Sequence, residues 1–107
     1  MELSFSTADI RDICDKRKVA RVKLGDDAAV ELAQILADVE AFENFADFAT
    51  TFGRQISDRG ESEKCFSMKA NCRIFFKAGH PGNLGASPAP TNWPKTTRLM
   101  ITAFENV

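Results

Sequence analysis

Among side chains able to move protons near neutral pH, the chain offers one histidine, His80, and no tyrosine in 107 residues. General acid–base catalysis draws first on such groups, so the usual set is nearly empty. His80 stands in Gly79-His80-Pro81-Gly82, an exposed loop sequence. It reads as an ordinary loop residue, and a catalytic role requires that loop to fold over the rest of the molecule. Cys14, Cys65 and Cys72 are odd in number and lack the close spacing of a zinc site. They read as reduced thiols packed as small apolar side chains, which points to a reducing cytoplasm and to no metal or cofactor.

Charge carries more information. Fourteen basic and fifteen acidic side chains leave a formal net charge of -1, which argues against a general polyanion binder. The near-balance conceals a division at Gly53: residues 1–53 hold six basic and eleven acidic side chains, a net of -5, and residues 54–107 hold eight and four, a net of +4. Within the acidic half, Lys16-Arg17-Lys18 followed by Arg21 and Lys23 forms a local basic cluster. Phosphate recognition needs this kind of cluster, because the field of a charge falls off within about 8–10 Å at physiological salt. The alternative is a solvated face that keeps the chain soluble.

The elements that must position these groups follow from periodicity. Leu3 and Phe5 alternate with polar neighbours as a short strand does. Ser6 and Asp9 read as a capping box ahead of a first helix with Ile10 and Ile13 on its apolar face. Ala28, Ala29, Leu32, Ile35, Leu36, Val39 and Phe42 recur at helical spacing through about Glu43, with Glu31, Gln34, Asp38 and Glu40 opposite. Asn44 caps a further turn of helix holding Phe45 and Phe48, which Gly53 ends. Beyond it the texture changes. Phe66 and Met68 alternate with polar residues, Ala70-Asn71 marks a tight hairpin, and residues 73–77 and 98–104 read as strands. Residues 78–94 hold all four prolines and three of the six glycines, a loop composition. Trp93 in it reads as an anchor on the core. Helices followed by strands predict a single α+β domain over 1–107, with two N-terminal helices packed on a mostly antiparallel sheet. The first residues lack the pattern of a signal peptide, and no apolar run approaches the roughly 20 residues that span a bilayer. A cytoplasmic protein with no membrane partner is the expectation.

Several segments in order resemble one family. The stretch from Ile10 to Phe48, with Lys23-Leu24-Gly25, Leu36-Ala37-Asp38-Val39 and Glu43-Asn44, resembles the helical hairpin of HigB-type toxins in the RelE/ParE superfamily. Cys72-Arg73-Ile74-Phe75-Phe76 is similar to the family's Tyr-Arg-Leu-Ile-Phe strand. Thr91 to Ile101, TNWPKTTRLMI, is similar to its Asp-Trp-Ser-Lys-Val-Thr-Arg lead into the last strand. The resemblance implies two helices against a curved antiparallel sheet, in a toxin neutralised by a small antitoxin of helix-turn-helix type. HigB- and RelE-like members cleave mRNA on the ribosome without a metal, whereas ParE-like members act on DNA gyrase. In such cleavage a base takes the ribose 2′-hydroxyl proton, cations stabilise charge on phosphorus, and an acid protonates the leaving oxygen.

Carried over residue by residue, the resemblance makes Arg73 the charge-stabilising guanidinium, its alternative being a structural Arg paired with a carboxylate. Arg54, Arg59, Lys64 and Lys69 become a phosphate-contacting rim, with Lys16, Arg17 and Lys18 as further RNA contacts. Where the family closes on a segment like Val-Asp-Tyr-His, this chain reads Phe104-Glu105-Asn106-Val107. Glu105 keeps a carboxylate, and the phenol and imidazole are gone. Cys72 replaces the family Tyr, and His80 is the remaining imidazole. Two functions stay open: an mRNA endonuclease with an unusual site, and a toxin-fold binding protein with little catalysis. A gyrase-directed activity is a third.

Overall fold

The computed structural model describes residues 1–60, 62–79 and 92–106. A short strand β1 (Glu2–Phe5) leads into helices α1 (Ala8–Asp15), α2 (Arg17–Leu24), α3 (Asp26–Ala41) and α4 (Phe45–Phe52), and then strands β2 (Ile56–Asp58), β3 (Glu63–Ser67), β4 (Cys72–Ala78) and β5 (Arg98–Asn106). The strands form one sheet in the order β1-β5-β4-β3-β2. The pairs β2–β3, β3–β4 and β4–β5 are antiparallel, and β1 lies parallel to β5 with Leu3 opposite Leu99. The architecture is therefore α+β with a mixed sheet.

Local chemistry explains most element ends. Thr7 caps α1, its hydroxyl accepting from the Ile10 N–H at 3.2 Å. The cap thus falls one residue after Ser6, the residue the capping-box pattern indicated. Asn44 caps α4 as its sequence suggests, accepting from the Asp47 N–H at 3.0 Å. The two N-terminal helices expected from periodicity are accompanied by a third, because the basic segment is itself helical as α2. Its signal is faint: Ala20 is buried and Leu24 half-buried, one turn apart, while Val22 is 83% exposed. Arg21 and Lys23 in its last turn suit the negative end of the helix dipole. Gly25 turns the chain from α2 into α3 at φ +93°, where a side chain is strained, and Asp26 and Asp27 suit the first turn of α3.

The helices cover one side of the sheet. Leu32, Ile35 and Val39 of α3 and Phe45 and Phe48 of α4 pack against Phe66, Ile74, Phe76, Leu99 and Ile101. Phe48 is 1% exposed and stacks on Phe66 at 5.8 Å between ring centroids, with Phe42, Phe45, Phe52 and Phe76 around it. Trp93, in a 3₁₀ turn (Trp93–Lys95), lies 5.0 Å from Phe45 and 6.0 Å from Phe76, so it anchors the segment before β5. Glu31 does not face water with the polar side of α3. Its carboxylate accepts from the Lys69 and Ala70 N–H groups at 2.8 and 2.9 Å, tying α3 to the β3–β4 hairpin, where Asn71 takes φ 59°. Such a bond joins residues far apart in sequence, which is why helical spacing alone misassigns it. Among the described residues no helix is long and apolar enough to cross a membrane.

Candidate functional site

With the helices on one side, alternation along each strand sends every second side chain to the side that no described helix covers. The register aligns them in rows across the strands. Ser57, Cys65, Phe75 and Ala103 form one row, and Ser67, Arg73 and Glu105 form the next. These rows line an open groove of about 490 Å³, which Arg59 and Asp58 complete at the β2 end. Between Phe75 and Phe76 the register with β5 shifts: Phe75 pairs with Ala103 and Phe76 with Ile101, leaving Thr102 as the extra residue of a bulge. The Thr102 hydroxyl lies 3.4 Å from a Glu63 carboxylate oxygen.

The groove holds two guanidinium groups, each with a carboxylate beside it. Arg73 donates to Glu105 across the β4–β5 pair at 3.3 Å, with both side chains close to half exposed. Arg59 approaches Glu63 at 3.6 Å and lays its guanidinium over the Phe75 ring, 4.1 Å from the centroid. The groove is thus a planar aromatic floor flanked by cations whose charge is locally balanced, in a geometry suited to phosphate oxygens.

Of the residues singled out in the sequence, Arg59, Arg73 and Glu105 come together here. Lys64 does not join the rim. It pairs in register with Phe76, so it points to the helix side, where its ammonium meets Asp58 and sits 4.9 Å from the Trp93 ring and 5.5 Å from that of Phe45. The alternation of β3 decides this, since Glu63 and Cys65 on either side of Lys64 face the groove side. Arg54 in the 3₁₀ turn before β2, and Lys69 at the hairpin, are exposed and do not line the groove. Arg17 and Lys18 begin α2 and Lys16 precedes it; all three are exposed, Lys16 lying 3.4 Å from Asp12. The C-terminal end of α2 adjoins the groove strand β5, the Asn106 side-chain amide donating to the Lys23 carbonyl at 3.3 Å. His80 lies outside the described residues.

Sequence reasoning missed Phe75, Cys65, Ser57 and Ser67. Phe75 stands two residues from Arg73 on one strand, so period-two alternation was a usable signal for it. Strand β2 gave little, being three residues long. Cys72, which the resemblance sets where that family has Tyr, is 1% exposed on the helix side, and burial pushes its thiol pKa up. Cys14 borders a separate cleft of about 240 Å³ among α1, α2 and α3, and burial, with the Asp15 carboxylate adding, pushes its thiol up to about 12. In both, burial favours the thiol over the nucleophilic thiolate. Among the described residues no cluster of His, Cys, Asp and Glu could hold a metal ion. No family model, curated protein or solved structure matches the chain.

Proposed function

We propose that the chain is the toxin of a type II toxin–antitoxin pair, of the RelE/ParE kind, acting in the cytoplasm as a ribosome-dependent mRNA endonuclease. The observation that carries this reading is the sheet face opposite the described helices, whose groove Arg73 and Arg59 both line. It is the face to which the family resemblance assigns the site, and the guanidinium of Arg73 is on the strand the resemblance names. A meander of β2 to β5 with β1 parallel to β5, and helices on the other side, supports the same fold. In this reading Arg73 stabilises the charge that develops on phosphorus, Glu105 accepts the proton of the attacking 2′-hydroxyl, and the 5′-oxygen leaves with a proton from water as the 2′,3′-cyclic phosphate closes. Arg59 holds an adjacent phosphate. An antitoxin with a helix-turn-helix module is the partner that keeps the protein silent.

A second reading, binding with little cleavage, is favoured by one observation: Arg73 is engaged by Glu105, and the described groove contains neither imidazole nor phenol. Both readings are tested by inducing the chain without its neighbouring gene and pulse-labelling protein and DNA synthesis, for wild type and Arg73→Ala. Loss of translation that Arg73→Ala relieves supports the endonuclease. Unimpaired growth with intact transcripts sinks it, and arrested replication with continuing translation points to gyrase.

A further inference from the structure

We infer that Phe75 is a nucleobase platform, so that the groove takes one unpaired RNA nucleotide with its base on this ring and its phosphates on Arg59 and Arg73. The inference rests on the RNA-directed reading above and names what the groove would recognise besides charge. Phe75 belongs to the wrong side of the sheet for a core residue. It pairs with Cys65 and Ala103 in a row facing away from the helices, and it stands apart from the contiguous apolar cluster beneath α3 and α4. Even so it is only 5% exposed, and the group stacked on its face is the Arg59 guanidinium at 4.1 Å.

That cover is removable. The Arg59 side chain is 56% exposed and, among the described residues, is paired with one carboxylate, Glu63, at 3.6 Å. An exposed pair of this kind holds weakly against a competing anion. A planar guanidinium on an aromatic face occupies the place a base would take, since both stack through flat π surfaces. When a phosphate draws Arg59 outward, the ring is uncovered beside the cation that now holds the phosphate. Glu105 releases Arg73 to the neighbouring phosphate in the same way. Ser57 and Ser67, on the groove wall, supply hydroxyls within the same pocket for the sugar or a base edge. Stacking on Phe is tolerant of base identity, so the platform selects an unpaired base over none, not one base over another.

The test compares two labelled decanucleotides by fluorescence anisotropy, oligoadenylate RNA and an abasic oligomer of the same length and charge. The intact protein should prefer the oligoadenylate by roughly 5- to 150-fold, the range that loss of one base–aromatic stack produces. Phe75→Leu, which keeps an apolar side chain without a π face, should bring the two oligomers to equal affinity. Arg59→Ala should weaken both oligomers and preserve the ratio, because the ring remains. Phe75→Trp should keep the preference, and its added indole emission should change with oligoadenylate and not with the abasic oligomer; this carries the test if the leucine variant does not fold. Equal binding of both oligomers by the wild type, weakened by Arg73→Ala, overturns the platform and leaves the RNA-binding face standing. A preference that survives in Phe75→Leu also overturns it. Binding of neither oligomer at low salt overturns both readings.

Discussion

Replacing Glu105 by Gln separates two roles that the groove geometry gives this carboxylate. As the partner of Arg73 it competes with RNA, and as the proton acceptor it serves cleavage. At 3.3 Å the two charges attract by about 1.3 kcal/mol at the dielectric constant of water. Both side chains are nearly half exposed, so the net worth falls into the range of surface pairs, about 0.2–1 kcal/mol. Removing that competition should tighten binding of a single-stranded RNA by roughly 1.4- to 5-fold. If Arg73 then engages one further phosphate, the slope of log affinity against log salt steepens by about 0.7. Arg73→Ala should weaken binding, and the double variant should bind like Arg73→Ala alone, because Glu105 acts on RNA through Arg73. Anisotropy titrations at several salt concentrations give all of these quantities, and incubation of transcripts with programmed ribosomes gives cleavage. Glu105→Gln should bind more tightly and cleave less. If it binds as weakly as Arg73→Ala, or if the double variant gains as much as the single one, the carboxylate is not the competitor described here.

Three further outcomes follow from the packing. Phe48→Ala removes the ring at the centre of the aromatic cluster and should lower unfolding free energy by about 3–5 kcal/mol in urea titrations, a large share of a small domain's stability. Lys64→Ala removes the cation over Trp93 and the partner of Asp58; the chain's one tryptophan should then become more accessible to acrylamide, while RNA binding is unchanged. For Cys14, burial lifts the folded pKa from 9.0 to about 12, so folding favours the protonated thiol. That contribution is whole below about pH 9 and is lost as pH rises towards 12, since the unfolded chain ionises first. Urea midpoints taken below and above pH 9 should show a decline that is shallower in Cys14→Ala.

Much of the frame was legible from local pattern. The stripe from Ala28 to Phe42 defines α3, Asn44 marks the start of α4, and the segment around Arg73 reads as a strand, because spacing and capping are properties of neighbouring residues. Strand β2 and helix α2 were harder to see. The first is too short for alternation to register, and the second shows its apolar side through Ala20 and Leu24 amid four cations.

The sequence by itself determined the helical stripe, the longer strands, the basic second half and the scarcity of imidazole and phenol. Only the tertiary structure decided which cations meet. Arg59 and Lys64 are five positions apart and chemically alike, yet one stacks on Phe75 in the groove and the other on Trp93 behind the sheet. Likewise Glu31 leaves the solvent to hold the hairpin, and Glu105 reaches Arg73 from 32 residues away. Each outcome depends on strand register and on which side of the sheet the helices cover. Both are settled by contacts between distant segments, where one step of register exchanges the two faces.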